Sequence, residues 1–374
     1  MKRVAVLGAT GSIGKNSLEV LSRGRDNFEV ALLSAHSNRR GLEELSRQWP
    51  DATCVLSGEE NGKEKLTQAI RDVHADITIN GISGGQGLEP TLAAIDSGSM
   101  VALANKESVV MAGPLVFRHA KEKNVKIIPV DSEHSAIFHL LEAHAKGANE
   151  LIDEIILTAS GGPFLHLNIE EKKNISPDAA TAHPTWKMGR KISIDSASMA
   201  NKGLEVIEAA AFFNMPAEKI KVVIHPQSVV HSMVRLCNGV IYAQLSKPDM
   251  RHPIHDALYW PRTTRSGLDV LNFDSLTLEF KKPDFKEFPM LHMAFQAAQR
   301  QGLYPCAYNA ANEAAVSAFL ERKIGFLDIP VITGYVLEKD WDCELLDLET
   351  VLRADVEARR QADIYIKGCI HAVN

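Results

Sequence analysis

Three features of the sequence predict an α/β fold. The chain opens on a short apolar run, Val4-Ala5-Val6-Leu7, which ends in Gly8-Ala9-Thr10-Gly11-Ser12-Ile13-Gly14 and leads into an amphipathic stretch carrying Leu18, Val20 and Leu21. Strand-length apolar runs then recur through the first 130 residues, separated by helical periodicity. From about residue 290 the pattern is helical throughout. The predicted architecture is a Rossmann-like, dinucleotide-binding domain over residues 1–130, an α+β domain over 131–260, a connector over 261–289 and a small helical C-terminal domain over 290–374. At 374 residues the chain exceeds the size at which one hydrophobic core keeps growing, so several domains are expected.

Composition narrows the class. With 45% hydrophobic and 24% charged residues, the chain reads as an ordinary globular protein, and a net charge of -6 provides no general basic field for nucleic acid. The five cysteines are odd in number, widely spaced and form no Cys-x-x-Cys pair, which argues against a disulfide framework or a zinc site and suits a reducing cytosol. No apolar stretch reaches membrane-spanning length, and the N-terminus lacks the apolar core of a secretory signal. A cytoplasmic protein without nucleic-acid or membrane partners is expected.

The first turn has the spacing G-x-x-G-x-x-G. Glycines there let a backbone approach a pyrophosphate, and the helix N-terminus adds unpaired N–H groups and a favourable dipole, although tight strand-helix turns also use glycine for geometry alone. The second strand, Phe28-Glu29-Val30-Ala31-Leu32-Leu33-Ser34, leads to Ala35-His36-Ser37-Asn38-Arg39-Arg40, where a NAD-binding fold usually has an acidic residue. Hydroxyl, amide and guanidinium groups favour the 2′-phosphate of NADP; alternatively Arg39 and Arg40 belong to a solvated first helical turn. Strands at Asp76-Ile77-Thr78-Ile79-Asn80 and Met100-Val101-Ala102-Leu103-Ala104 end in Gly81-Ile82-Ser83-Gly84-Gly85 and Asn105-Lys106-Glu107-Ser108, the ends at which open parallel sheets bind ligands. Lys106 and Glu107 equally suit a helix cap.

A further strand, Val125-Lys126-Ile127-Ile128-Pro129-Val130, runs into Asp131-Ser132-Glu133-His134. Two carboxylates at the end of a buried strand are costly unless neutralised, and their hard oxygens select Mg2+ or Mn2+; the competing reading is a helix N-terminus capped by Asp131 or Ser132. Leu157-Thr158-Ala159-Ser160-Gly161-Gly162 is a strand ending in a loop that offers a hydroxyl and N–H donors to phosphate. His183-Pro184-Thr185-Trp186-Lys187-Met188-Gly189 suits a flap that covers a ligand, or a fixed loop anchored by Trp186 and Met188. In Ser196-Ala197-Ser198-Met199-Ala200-Asn201-Lys202-Gly203-Leu204-Glu205, a helix would set Asn201, Lys202 and Glu205 on one face, a donor set for an anion beside a carboxylate for a metal. The alternative is a solvated Lys202-Glu205 ion pair, with Ser196 and Ser198 as helix caps. Strands at Ile220-Lys221-Val222-Val223-Ile224, Val229-Val230-His231-Ser232-Met233-Val234 and Val240-Ile241-Tyr242-Ala243-Gln244-Leu245 could provide a sheet edge for dimer pairing. Helices are expected over 290–301, 305–322, 330–339 and 348–364, buttressing the site, with Met250 and Asn309 as positions of interest.

Taken in order along the chain, these motifs, with His225-Pro226-Gln227-Ser228 and Asn309-Ala310-Ala311-Asn312-Glu313-Ala314, resemble the 1-deoxy-D-xylulose 5-phosphate reductoisomerase family. The resemblance implies the second step of the non-mevalonate isoprenoid route: rearrangement of 1-deoxy-D-xylulose 5-phosphate, then NADPH reduction of the aldehyde to 2-C-methyl-D-erythritol 4-phosphate. It implies a homodimer, NADPH and one divalent cation, Mg2+, Mn2+ or Co2+. Matched by motif, Asp131, Glu133 and Glu205 would hold the metal and, with His183 and Lys202, form the catalytic set. Ser160, Ser196, Asn201 and Lys202 would bind the substrate phosphate, Ser132 its polar groups, and Trp186 and Met188 would lie in the flap. Thr10, Gly11, Ser12 and Ile13 would meet the cofactor pyrophosphate, and Ser37, Asn38 and Arg39 its 2′-phosphate. Asn105, Lys106, Glu107 and Gly189 complete the implied cofactor contacts, and His231 matches a family histidine without an assigned role. The segment Ser34-Ala35-His36-Ser37-Asn38-Arg39-Arg40 departs most from the family pattern. A plain NADP-dependent dehydrogenase and a non-catalytic NADP sensor are the rival functions; neither calls for three carboxylates around a metal.

Overall fold

The computed structural model describes residues 1–144, 149–181, 189–343 and 347–373. The chain packs as two units: Met1–Ser108, Val116–His139 and Asp249–Val270 form the first, and Val109–Leu115, Leu140–Pro248 and Leu271–Asn374 the second.

From the N-terminus the elements are β1 (Lys2–Leu7), α1 (Ser12–Arg23), β2 (Phe28–Ala35), α2 (Arg39–Gln48), β3 (Thr53–Leu56), α3 (Gly62–Asp72), β4 (Ile77–Asn80), α4 (Leu88–Asp96), β5 (Met100–Leu103), α5 (Lys106–Glu122), β6 (Ile127–Pro129) and α6 (Ser132–His144). The six strands form one parallel sheet in the order β3-β2-β1-β4-β5-β6. Val4, Ala5, Val6 and Leu7 of β1 are all fully buried, as expected for a central strand covered on both faces, which is why its sequence shows no alternation. β3, an edge strand with exposed Thr53 and Cys54, has no such signature and is not evident from sequence. The sheet order changes direction between β1 and β4, the point at which doubly wound folds bind their ligand beyond the strand C-termini.

The chain continues with β7 (Ile152–Ala159), α7 (Ile169–Lys172), α8 (Pro177–Ala180), α9 (Arg190–Ala197), α10 (Ala200–Phe212), β8 (Ile220–Ile224), β9 (Val230–Leu236) and β10 (Ile241–Leu245). Next comes α11 (Arg251–Tyr259), which packs on α1 in the first unit. Phe28 meets Tyr259 edge to face at 5.0 Å, and Arg251 is 2.5 Å from Glu19 and bridged to Asp249 at 2.6 Å. Met250 is the half-buried residue that precedes α11.

In the second unit, β10-β9-β7-β8 form a mixed sheet in which β7 and β8 are parallel and the other neighbours antiparallel. After α12 (Pro289–Arg300) comes the largely buried α13 (Tyr304–Leu320), packed by α12, α14 (Asp328–Leu337) and α15 (Leu348–Val373), and α15 runs beyond its expected end at 364. The connector has no regular strand or helix before α12 begins at Pro289. Its fixed point is an antiparallel bridge between Ile224 and Lys281, beside which the buried His225 places Nδ1 2.9 Å from the carbonyl of Glu279. Its Nε2 accepts the N–H groups of Val229 and Val230 at 3.2 and 3.1 Å, so the proton lies on Nδ1 and is donated to Glu279.

Candidate active site

In the first unit the glycine turn is shaped for a backbone-held anion. Gly8 has φ +75°, and a Cβ on Gly14 would fall 2.4 Å from the carbonyl oxygen of Gly8, so α1 begins flush against the turn. No side chain caps α1, and Gly11 and Ser12 are exposed while Thr10 and Ile13 are half-buried. The first N–H groups of the helix therefore face outward at the sheet's switch point, as a pyrophosphate requires. At the end of β2, the basic segment forms the exposed first turn of a helix. Asn38 caps α2 by accepting from the N–H of Gly41 at 3.0 Å, and Arg39 and Arg40 occupy the exposed first turn. Arg39 pairs with Glu59, and Arg40 with Glu44 at 3.1 Å; Ser37 is exposed beside them.

Asn105 has a structural task that its sequence does not reveal. The buried amide donates to the carbonyls of Ile82 at 2.8 Å and Gly84 at 2.9 Å and to Glu107 Oε2 at 3.0 Å, while its oxygen caps α5 through the N–H of Ser108 at 3.0 Å. It thereby ties the loop after β4 to the start of α5. Lys106 turns to Asp131, with Nζ 2.5 Å from Oδ2 and both side chains largely buried. Asp131 lies between β6 and α6 and accepts the N–H of Ser135 through its carbonyl at 2.8 Å, and Ser132 donates to Glu133 Oε2 at 2.5 Å in the first turn of α6. The segment is thus a helix start, as one sequence reading held, and also an enclosed acidic cluster matched by an ammonium.

The second unit builds its polar site from side chains. The loop after β7 has Gly161 at φ +85° and Gly162 at φ +69°. A Cβ on Gly162 would lie 2.5 Å from the carbonyl of Ser196, so the backbone beside Ser160 is set against the last turn of α9. Met199, buried and at φ +62°, makes the sharp corner from α9 into α10. On α10 the expected face forms. Asn201 Nδ2 is 2.5 Å from Glu205 Oε1, and Lys202 Nζ contacts Glu205 Oε2. Lys202 is 4% and Glu205 1% exposed, which rules out a solvated pair. Ser196 lies within α9, and Ser198 closes that helix while its Oγ accepts the N–H of Ala200, the first residue of α10, at 3.3 Å.

A buried carboxylate of this kind is stable only beside positive charge, and its hard oxygens suit a divalent cation such as Mg2+. His231 is buried with Nε2 2.7 Å from Ser246 Oγ, and Asn309 is buried on α13 with Nδ2 3.3 Å from Glu313 Oε1. Gly189 is exposed at the start of α9, whereas His183, Trp186 and Met188 lie outside the described residues. Sequence reasoning missed Asp195, which is 1% exposed and bound to both Lys191 and Asn312. The only local signal is the i, i+4 spacing of Lys191 and Asp195 on a short helix.

Comparison with known proteins is consistent along the whole chain. Family models match for 1-deoxy-D-xylulose 5-phosphate reductoisomerase over residues 4–113, for its C-terminal domain over 127–213, and for the DXP reductoisomerase C-terminal domain over 245–361. The 1-deoxy-D-xylulose 5-phosphate reductoisomerase of Treponema denticola is 50% identical over 366 residues, covering 96% of this chain and 95% of the relative. That of Chlorobium chlorochromatii is 44% identical, covering 98% and 100%. Among solved structures, the Zymomonas mobilis enzyme in complex with NADPH aligns with a TM-score of 0.89 at 40% identity, covering 98% of this chain and 99% of that one. A DOX-P reductoisomerase in complex with NADPH, fosmidomycin and magnesium aligns with a TM-score of 0.91 at 37% identity, covering 98% of each.

Proposed function

Because the chain belongs to the 1-deoxy-D-xylulose 5-phosphate reductoisomerase family, we propose how its residues divide the work of that reaction. The enzyme is an NADPH-dependent oxidoreductase that also uses a divalent cation. It rearranges 1-deoxy-D-xylulose 5-phosphate and reduces the product to 2-C-methyl-D-erythritol 4-phosphate in the non-mevalonate route to isoprenoids.

In this reading residues 1–130 bind NADPH. Thr10, Gly11, Ser12 and Ile13 meet the pyrophosphate, Ser37, Asn38 and Arg39 the 2′-phosphate, and Asn105, Lys106, Glu107 and Gly189 border the cofactor elsewhere. The catalytic domain over 131–260 supplies Asp131, Glu133 and Glu205, whose oxygens would hold Mg2+, with Mn2+ or Co2+ as substitutes. Bound there, the cation would stabilise negative charge developing on the substrate oxygens as a carbon-carbon bond breaks and re-forms. Ser160, Ser196, Asn201 and Lys202 hold the substrate phosphate. That handle is remote from the reacting carbons, and its binding energy orients them. Ser132 hydrogen-bonds the substrate's polar groups, His183 is assigned to the substrate's vicinity, and Trp186 and Met188 are assigned to a flap that would exclude water. Residues 290–374 buttress this machinery. The observation that carries the reading is the turn of half-buried Asn201 and buried Lys202 and Glu205, where an amide donor, an ammonium and a carboxylate share one helical face.

The exposed edge strand β10, with Ile241 45% exposed and Val240 equally so just before it, and the connector's exposed Phe273 and Phe280 support pairing with a second copy of the chain. A cytoplasmic location without nucleic-acid or membrane partners completes the reading; among the described residues no helix is long and apolar enough to cross a membrane.

The test is NADPH oxidation with 1-deoxy-D-xylulose 5-phosphate, followed on adding Mg2+ and then EDTA. Oxidation that stops with EDTA and returns with Mg2+ supports the assignment. Oxidation unaffected by EDTA would remove the metal role from the three carboxylates.

A further inference from the structure

Asp195 is a carboxylate in an unfavourable place. It lies in the last turn of α9, where the helix dipole disfavours negative charge, and it is buried. Two groups hold it. Lys191 Nζ, one turn earlier, is 2.9 Å from Oδ2, and Nδ2 of Asn312 on α13 donates to Oδ1 at 2.8 Å. Asn312 is fully buried, and its own Oδ1 has no hydrogen-bond partner among the described residues. A leucine would fill that volume without stranding an acceptor, so packing alone gives no reason for an amide. One turn back on α13, the fully buried Tyr308 donates to the carbonyl of Met290 at 3.1 Å, and a Cβ on Gly203 of α10 would lie 2.7 Å from its hydroxyl oxygen. The i, i+4 spacing sets Tyr308 and Asn312 on one face of α13. That face meets α10 by close approach and α9 by a buried hydrogen bond.

We propose that Asn312 is a positioning residue for the substrate phosphate. By holding Asp195 it fixes the last turn of α9, and with it the hydroxyl of the adjacent Ser196, relative to Asn201 and Lys202 on α10. The inference rests on the reading that these three residues bind the phosphate. The Lys191 contact lies within α9 and cannot set its position; the Asn312 contact reaches it from a separate helix and can.

Steady-state kinetics with Mg2+ and NADPH test this on Asn312→Leu, Asp195→Ala, Asp195→Asn and Ser196→Ala. Asn312→Leu and Asp195→Ala should each raise KM for 1-deoxy-D-xylulose 5-phosphate by about tenfold or more, with kcat within about threefold and KM for NADPH unchanged. Asp195→Asn keeps an acceptor for Asn312 and should stay near the parent KM. Should Asn312→Leu fail to fold, the contrast between the two Asp195 variants decides the question alone. Lower melting temperatures with an unaltered substrate KM would show a purely structural role and overturn the proposal, as would equal KM values for Asp195→Ala and Asp195→Asn. If Ser196→Ala itself leaves KM unchanged, it is the phosphate assignment that fails; if only Ser196→Ala raises KM, the positioning role alone falls.

Discussion

In the proposed function the glycine turn of the first unit and the α9-α10 corner of the second both receive an anion, by opposite means. The turn uses backbone N–H groups, and its shape follows from Gly8 at φ +75° and from the absence of a Cβ at Gly14. The corner uses the side chains of Ser196, Asn201 and Lys202, and these need support: Met199 in a left-handed conformation, the Ser160-Gly161-Gly162 loop against Ser196, and Asp195 tied to α13. A backbone site is written in a few consecutive residues. A side-chain site is written partly in residues more than a hundred positions away.

The comparison breaks first at Glu205. Glu205→Gln keeps the shape of the turn on α10 but removes its charge, and kcat/KM should fall by about a thousandfold while NADPH affinity, measured by fluorescence titration, changes by no more than about threefold. Loss of NADPH binding would mean that the two regions are not separate in function. The converse change is Gly14→Ala. Its Cβ would meet backbone atoms of Gly8 and Ala9 at 2.4 Å, so the turn must shift, with an overpacking cost of about 1–3 kcal/mol. NADPH affinity should fall by about tenfold, with KM for the sugar phosphate near its parent value, as judged by initial rates at saturating cofactor.

The smallest effect sharpens the contrast with a contact outside either site. Burial pushes the Asp249 carboxyl up, but hydrogen bonds and charge from Arg251 outweigh it and hold the group below its ordinary range. Such a depressed carboxylate stabilises the fold above its ordinary pKa of about 3.9, and that contribution is lost as pH falls through the lower folded value. For a pair this open to solvent, Asp249→Asn should cost less than about 1 kcal/mol at pH near 7, and the difference from parent should vanish in acid. Thermal melts at the two pH values check both points.

What sequence shows follows the same division. The glycine turn, the strands flanking it and the Asn201, Lys202 and Glu205 face were legible because glycine and helical spacing are local signals. The structural task of Asn105 is not legible, because its amide is engaged by the carbonyls of Ile82 and Gly84, in a loop that the parallel pairing of β4 with β5 sets beside it. Lys106 was placed beside it, and the structure turns its ammonium to Asp131. Asp195 and Asn312 gave no signal, since neither the burial of one nor the approach of the other can be inferred from short-range spacing. The edge strand β3 was missed because a half-exposed strand of four residues lacks both a continuous apolar run and a clear alternation.

The imidazole of His225 also gives the connector a built-in reporter. Its unprotonated Nε2 receives two neighbouring amides, and its Nδ1 proton is given to Glu279, so the connector carbonyl fixes the tautomer on which both amide bonds depend. Hydrogen-deuterium exchange at Val229 and Val230 should therefore rise where the connector is loosened, and exchange that stays unchanged would show that the imidazole keeps its tautomer without Glu279.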